Sequence, residues 1–196
     1  MVNFCKMIIG VCGRVSAGKE TLTSFLRDKG FVYLETSAII KEELAKLGLE
    51  ITRENMQNWA DDLRKKNGVG ALMKLMLERV KKEPKKNYLF DSLRNTGEAS
   101  FLEKKIKDFI LIGVDAPQKI RFQRMLARGK SSDPKTWDEF LKMDARDNFD
   151  ASNPMGQQTG RLLERADFVI VNDKDLQDAM KRVEEVWGHI EKKNSL

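Results

Sequence analysis

The sequence predicts an α/β fold, a three-layer arrangement in which a five-stranded parallel sheet carries helices on both faces. Five short runs are apolar throughout instead of alternating apolar and polar residues, which indicates strands that are buried on both faces. Helical stretches separate these runs, and that alternation is typical of a parallel sheet. The 196 residues are expected to form a single domain, 1–196, because a chain of this length fits one hydrophobic core.

The predicted strands are apolar runs bounded by glycine or by charged and polar residues. They are Lys6–Cys12, Phe31–Glu35, Asn87–Asp91, Asp108–Asp115 and Asp167–Asp173. A helix over Thr21–Lys29 follows the first strand and stops at Gly30. A long helical insertion follows the second strand. Its predicted helices are Ser37–Leu47, Arg53–Lys66 and Ala71–Lys82.

Composition excludes several classes of protein. Apolar residues make up 41% of the chain and charged residues 34%, as in globular proteins, and no run is long enough to span a membrane. Cys5 and Cys12 lie seven residues apart on one predicted strand and point to opposite faces, so we expect reduced core thiols and a cytoplasmic location. The net charge of +6 favours anionic partners without choosing among them.

The stretch GRVSAGKE, residues 13–20, predicts a phosphate-binding loop. Gly13, Gly18 and Lys19 satisfy the pattern G-x-x-x-x-G-K between a predicted strand and a predicted helix, which is the context that this motif requires. Backbone N–H groups of the loop, including those of Ser16 and Ala17, can surround phosphate oxygens, and the Lys19 ammonium can reach them. We therefore expect the chain to bind ATP.

The loop carries Glu20 where a hydroxyl residue normally coordinates Mg²⁺. Thr21 could supply that hydroxyl, and Glu20 could hold the hydrated ion, because Mg²⁺ keeps several waters and is often bound through one or two acidic groups. The alternative is that Glu20 only stabilises the helix dipole. Asp91 ends a predicted strand, where it could hold Mg²⁺ through water or accept a proton; a helix cap is the alternative.

Arginines supply candidate ligands for a second anionic substrate. Arg94 follows Asp91 by three residues and would face the space beside the loop, where a guanidinium can clamp a phosphate with two hydrogen bonds. Arg53 and Arg64 lie 11 residues apart on one predicted helix, which places them on one face. They could line the same pocket, with a solvated helix face as the alternative.

Three further arginines predict a lid. Arg121, Arg124 and Arg128 follow helical spacing and form one stripe that leads into the polar stretch RGKSSDPKT. Arginines that close over a transferring phosphoryl group stabilise its charge, and Arg128 is the preferred candidate. For Arg121, a surface ion pair is an equal alternative. Arg161, on a later helix, is a further candidate.

These residues resemble the P-loop kinases of small phosphorylated acceptors. GVDAPQKIRFQRMLARG and RADFVIVNDKDLQDAMKRV are similar to dephospho-coenzyme A kinases, whereas FVYLETSAIIKEEL and LFDSLRNTGE are similar to nucleoside and deoxynucleoside monophosphate kinases. TRENMQNWADDLRKKNG resembles archaeal members of the group. The Ile-Asp-Ala-Asp signature of typical dephospho-coenzyme A kinases is absent from the sequence. The resemblance implies that adenine lies near Asn172.

The resemblance implies a kinase that moves the γ-phosphoryl group of ATP to a small phosphorylated acceptor, with Mg²⁺ as cofactor. A nucleoside or deoxynucleoside monophosphate is the expected acceptor, residues 37–86 would bind it, and residues 128–155 would form the lid. Lys19, Asp91 and Arg128 would be catalytic. A dephospho-coenzyme A kinase is one alternative, and a nucleotide-binding switch or RNA-associated ATPase is another. We expect no membrane or nucleic-acid partner, and the sequence specifies no oligomeric state.

Overall fold

The computed structural model describes residues 7–84, 86–131, 133–149, 153 and 155–194. The strands are β1 (Ile8–Gly13), β2 (Val32–Glu35), β3 (Tyr88–Leu93), β4 (Ile110–Asp115) and β5 (Phe168–Val171). The helices are α1 (Lys19–Asp28), α2 (Thr36–Lys46), α3 (Arg53–Asn67), α4 (Ala71–Val80), α5 (Thr96–Lys105), α6 (Gln118–Arg128), α7 (Trp137–Asn148), α8 (Thr159–Arg165) and α9 (Leu176–Asn194).

The predicted parallel sheet is confirmed. Its strand order is β2-β3-β1-β4-β5, and every pairing between neighbouring strands is parallel. The central strand β1 has β3 on one side and β4 on the other. The chain therefore adds β2 and β3 on one side of β1 and then β4 and β5 on the other side. A crevice opens at the carboxyl ends of the strands at such a point, and ligands of open parallel sheets bind there.

Both faces of the sheet are covered, because the strand side chains alternate between two apolar cores. Ile8 and Cys12 of β1 pack into the core beneath α2, α4, α5 and α8, whereas Ile9 and Val11 pack into the core beneath α1 and α9. Cys12 is a free, fully buried thiol, as expected, and burial raises its pKa to about 12. Lys6, the predicted start of β1, and Cys5, the other expected core thiol, lie outside the described residues.

β3 extends two residues past its predicted end, and its register with β1 contains an irregularity. Val11 pairs with Asp91 and Cys12 pairs with Leu93, which leaves Ser92 as an extra residue. Ser92 has a φ of +67°, in the left-handed region that is uncommon for residues other than glycine, so the backbone is strained at this bulge. The bulge follows Asp91 directly, and bulges of this kind re-aim side chains beside functional sites.

The segment predicted to form a lid contains α7, which packs against α6 through a third, smaller core. Trp137 stacks on Phe140 with ring centroids 5.3 Å apart, and Phe140, Met125 and Val15 are buried together. Because Val15 belongs to the loop after β1, this core fixes α7 beside that loop. No helix in the described ranges is long and apolar enough to cross a membrane.

Candidate active site

The loop between β1 and α1 has a backbone that depends on glycine at two places. Gly18 has a φ of +88°, and a Cβ atom there would lie 2.2 Å from Nδ2 of Asn172. Gly13 has a φ of +155°, and its Cβ would lie 2.3 Å from the carbonyl oxygen of Val114. A side chain would therefore clash with Asn172 at the first position and with the backbone of β4 at the second. The loop leads into the N-terminus of α1, which presents free N–H groups to an anion.

Lys19 is the first residue of α1, and its ammonium turns back towards the loop. Its Nζ atom lies 3.5 Å from the carbonyl oxygen of Gly13. Burial, followed by the nearby charge of Arg94, lowers the pKa of Lys19 to about 8, although Asp91 and Asp147 oppose the shift. The site therefore holds a half-buried cation that has lost part of its solvation, and an anionic ligand would stabilise it.

This lowered pKa predicts how ATP binding depends on pH. Lys19 loses its proton as the pH rises above about 8, and a neutral amine attracts phosphate oxygens only weakly. We expect the Kd for ATP to increase by about tenfold per pH unit above that value, because one proton is linked to binding. Calorimetry across this range measures the slope.

The matched control for this pH dependence is Lys19→Arg, because a guanidinium stays charged throughout the alkaline range. The Kd of the variant should be nearly constant above the pKa of Lys19. An equal slope in the variant and the wild-type protein would assign the titration to another group.

Asp91 lies beside this lysine and is nearly inaccessible, with 6% of its surface exposed. Its Oδ2 atom accepts a hydrogen bond of 2.7 Å from the Tyr33 hydroxyl. Its Oδ1 atom is buried and has no hydrogen-bond partner within the described part of the chain. A buried carboxylate oxygen without a partner is costly, so this atom is suited to a ligand, a metal-bound water or a substrate proton.

The expected acceptor arginines, Arg53 and Arg94, are brought together, and the structure adds a carboxylate that the sequence did not indicate. Asp147, in the last turn of α7, is buried, and its Oδ2 atom lies 3.1 Å from Nη2 of Arg53 and 4.0 Å from Nη1 of Arg94. The arginine side chains are 39% and 28% exposed, respectively, so a dissolved anion can reach both.

Arg64 does not line this pocket. Only 4% of its side chain is exposed, and its guanidinium pairs with Glu98 at 2.7 Å and with Asp61 at 3.1 Å. These contacts show that the expected binding role of Arg64 is wrong. Its burial shows that the alternative, a solvated helix face, is wrong as well. Spacing placed Arg53 and Arg64 on one face, but α5 covers the face at Arg64 and supplies Glu98 as its partner.

Glu98 holds the backbone of Arg94 and was missed at the sequence level. Its Oε2 atom accepts hydrogen bonds from the N–H groups of Arg94, at 2.8 Å, and Asn95, at 3.1 Å. Its Oε1 atom accepts from Arg64. Asn95 and Glu98 form the capping box of α5. The spacing N-x-x-E in the sequence is the signal that could have identified this pair.

The residues expected on the nucleotide side also meet. Nη2 of Arg124 donates to Oδ1 of Asn172 at 3.0 Å, and Nη1 of Arg124 lies 3.3 Å from the carbonyl oxygen of Ala17. Nδ2 of Asn172 donates to the same Ala17 oxygen at 3.0 Å. Arg124 and Asn172 therefore form hydrogen bonds with each other and with the backbone of the phosphate loop.

The predicted arginine stripe of α6 divides among three partners. Arg121 is 1% exposed and forms a buried ion pair with Asp144, in which Nη2 and Oδ2 are 2.8 Å apart, so the alternative of a surface ion pair is wrong. Arg124 contacts Asn172. Arg128 pairs with Asp133 through two hydrogen bonds of 2.7 and 2.9 Å. Its contacts in the described residues do not include the phosphate loop.

The remaining expected ligands are less constrained. Glu20 is exposed in the first turn of α1, whereas Thr21 is half-buried. The Ser16 hydroxyl is buried and lacks a hydrogen-bond partner in the described ranges. Arg161 is exposed and lies 4.0 Å above the ring of Phe149. Phe149 directly follows α7, so Arg161 contacts the segment that was expected to form the lid.

The side chains at the loop suit a magnesium ion that is shared with a nucleotide. Within the described residues, no group of three or more His, Cys, Asp or Glu side chains is placed to hold a metal ion alone. Mg²⁺ normally keeps water and uses one or two carboxylates together with substrate phosphates. The unpartnered oxygens of Asp91 and Ser16 fit that arrangement.

A cavity of about 370 Å³ lies apart from these residues. Leu44, Trp59 and Leu63 form its apolar part, and Asn58 lies at its edge. It borders the face of α3 opposite to Arg53, as helical spacing requires. We take the charged crevice at the loop between β1 and α1 as the candidate active site, because the buried carboxylate, the loop lysine and the accessible arginines lie there and not at this cavity.

No protein-family model matches the chain. The chain is 30% identical over 184 residues to the UPF0200 protein of Thermococcus onnurineus (strain NA1), and the alignment covers 92% of this chain and 96% of that protein. The structure resembles a shikimate kinase from Aquifex aeolicus vf5, with a TM-score of 0.55, 16% identity, and coverage of 95% and 98% of the two chains. It also resembles a gluconokinase from Sinorhizobium meliloti 1021, with a TM-score of 0.54, 12% identity, and coverage of 95% of this chain and 97% of that chain. These likenesses confirm a P-loop kinase-like fold.

Proposed function

The chain belongs to the UPF0200 protein family, and we propose that it is an ATP-dependent phosphotransferase acting on a small phosphorylated acceptor. The proposed acceptor is a nucleoside or deoxynucleoside monophosphate. One observation carries the proposal: a loop lysine with a lowered pKa and a buried carboxylate with a free oxygen lie beside two solvent-accessible arginines from other elements. These groups match the charges of a triphosphate, an attacking oxygen and an acceptor phosphate.

The nucleotide half of the site uses the loop backbone and the residues that support it. The N–H groups over Gly13–Thr21, including those of Ser16, Ala17, Gly18 and Glu20, would bind phosphate oxygens, with Lys19 opposite the β and γ positions. Arg124 and Asn172 hold the loop from the far side, where the adenine would lie. Mg²⁺, when bound, neutralises charge on the phosphates, and Asp91, Thr21 and Glu20 are the side chains that would hold it or its waters.

In the acceptor half of the site, Arg53 and Arg94 would bind the acceptor phosphate, and Arg161 would lie at the edge of the lid. Fixing the acceptor by two cations converts an encounter in solution into a positioned reaction, which is a major part of catalysis in phosphoryl transfer. Asp91 would accept the proton of the attacking group through its free oxygen. Lys19 and Arg128 would stabilise the charge that develops on the transferred group.

The experiment that tests this function is a coupled ADP-release assay with ATP, Mg²⁺ and a panel of acceptors. The panel contains the common ribo- and deoxyribonucleoside monophosphates, dephospho-coenzyme A, phosphomevalonate, shikimate, gluconate and a blank. We expect one nucleoside monophosphate to stimulate release strongly over the blank. Stimulation by dephospho-coenzyme A alone would select that alternative, and release indifferent to every acceptor would favour an ATPase.

Arg128 gives a separate prediction. In the proposed mechanism Arg128 leaves Asp133 and contacts the transferred phosphoryl group when the lid closes. We expect Arg128→Ala to lower kcat by about a thousandfold with nearly unchanged Kd for ATP, because the interaction exists only in the transition state. Stopped or continuous ADP-release assays measure kcat, and calorimetry measures Kd.

Asp133→Asn is the control for Arg128, because it breaks the same pair and leaves the guanidinium in place. It should retain most of the turnover. If both variants lose turnover equally, the pair acts by holding the loop after α6, and Arg128 is not catalytic.

A further inference from the structure

Asp147 is a buried carboxylate that contacts the arginines assigned to acceptor binding. It lies at the end of α7, whereas Arg53 begins α3 and Arg94 follows β3. Only 3% of its side chain is exposed. Nη2 of Arg53 reaches both of its oxygens, at 3.1 and 3.4 Å, and Nη1 of Arg94 lies 4.0 Å from the nearer one. A negative charge of the chain itself therefore lies between the two cations.

The neighbours of Asp147 on α7 fix that end of the helix to the nucleotide half of the site. Oδ1 of Asn148 accepts a hydrogen bond of 2.8 Å from Arg14, which belongs to the phosphate loop. Asp144, one turn earlier, forms the buried pair with Arg121 of α6. The backbone at Asp147 is thus linked to the loop and to α6, so movement of this end of α7 would carry its carboxylate toward or away from the arginines.

The geometry of the contact differs from that of the buried ion pair between Arg121 and Asp144. Arg121 binds Asp144 through two nitrogens and two oxygens. Arg53 uses one nitrogen toward Asp147, and its other terminal nitrogen contacts the sulfur of Met143. Nη1 of Arg94 donates a long hydrogen bond of 3.5 Å to Gln157 instead. Both arginines therefore keep donors for a second anion, and the contact with Asp147 is exchangeable.

We propose that Asp147 occupies the place of the acceptor anion between Arg53 and Arg94, so that the anionic group of the acceptor binds by displacing it. The inference rests on the proposed function, which assigns these arginines to the acceptor. A phosphate group can displace a carboxylate because it brings more charge and more acceptor oxygens, whereas a neutral compound cannot. Asp147 is then a specificity-determining residue that excludes uncharged acceptors and couples acceptor binding to movement of α7.

A positioning role for Asp147 predicts the opposite result. A carboxylate that orients the arginines for the acceptor would strengthen acceptor binding, and its removal would weaken binding. A carboxylate that competes with the acceptor weakens binding, and its neutralisation strengthens it. The sign of the change in anion affinity on removing the charge of Asp147 therefore separates the two roles.

The experiment measures binding of inorganic phosphate by calorimetry, with the phosphate loop filled by a non-hydrolysable ATP analogue and Mg²⁺. We expect Asp147→Asn to lower the Kd for phosphate by about tenfold, because a like charge beside the bound anion is removed. Arg53→Ala added to Asp147→Asn should abolish this gain. Asp138→Asn, an exposed change at the start of the same helix, is the matched control and should leave the Kd unchanged.

An unchanged or higher Kd in Asp147→Asn would overturn the inference, and so would absence of phosphate binding in both the variant and the wild-type protein. Thermal melting checks that the variant is folded, and Asp147→Ser provides a second neutral replacement if the asparagine variant is not. Failure of the proposed function gives a different pattern. In that case no acceptor in the panel stimulates turnover, while the tighter phosphate binding of Asp147→Asn is still observed.

Discussion

Replacing Lys19 with methionine is expected to lower the kcat for ATP-dependent phosphoryl transfer by about a thousandfold or more. Lys19 begins α1, its ammonium lies near the carboxyl end of β1, and partial loss of solvation lowers its pKa to about 8. A charge held in place without water stabilises a developing anion strongly, and loss of one such donor commonly costs a factor of about 10² to 10³. Methionine keeps the length and the apolar stem.

The measurement is the rate of ADP release with the best acceptor, together with the Kd for ATP. Lys65→Met is the matched control, because that lysine lies on α3 with 58% of its side chain exposed. The control should behave as the wild-type protein. Turnover in Lys19→Met within a few-fold of the wild-type value would remove the loop lysine from the mechanism and would require another cation at the transferred phosphate.

Replacing Asp91 with asparagine is expected to lower kcat by a factor of about 10² to 10⁴, the usual contribution of a general base. The amide has the same shape but cannot take a proton, and it cannot hold Mg²⁺ or its waters as a carboxylate does. The buried oxygen without a partner, Oδ1, is the atom on which this prediction depends. The Kd for ATP should change much less than kcat, because the loop amides and Lys19 remain.

Tyr33→Phe separates the two oxygens of Asp91. It removes the hydrogen bond of 2.7 Å to Oδ2 and leaves Oδ1 as it is. We expect a smaller fall in kcat than in Asp91→Asn, since the tyrosine only orients the carboxylate. Equal losses in the two variants would indicate that orientation of Asp91, rather than its free oxygen, is what the reaction needs.

The sequence predicted the fold well, and it also predicted the glycine-dependent loop between β1 and α1, because both depend on local patterns. Strands buried on both faces are continuous apolar runs, and the loop needs glycine at Gly13 and Gly18 for reasons of space and backbone conformation. The bulge at Ser92 was not predicted, because it arises from the register between β3 and β1 rather than from the residue itself.

Arginine roles were harder to predict, because helical spacing gives the face of a helix and not what covers that face. Arg64 and Arg121 were expected at a pocket or at the surface, and both are buried against carboxylates of other helices, Glu98 and Asp144. Asp147 lies 94 positions from Arg53 in the chain, so only the folded structure brings the two together. Contacts between elements that are far apart in the chain could therefore not be predicted from the sequence.

The most direct test of the proposed phosphotransferase activity is to follow the γ-phosphoryl group of labelled ATP. The protein is incubated with γ-labelled ATP, Mg²⁺ and the acceptor that most stimulates ADP release, and the products are separated. We expect the label to appear on the acceptor in an amount equal to the ADP formed, and we expect Asp91→Asn to lose this transfer. Label found only in inorganic phosphate, in the same amount with and without the acceptor, would contradict the proposed activity.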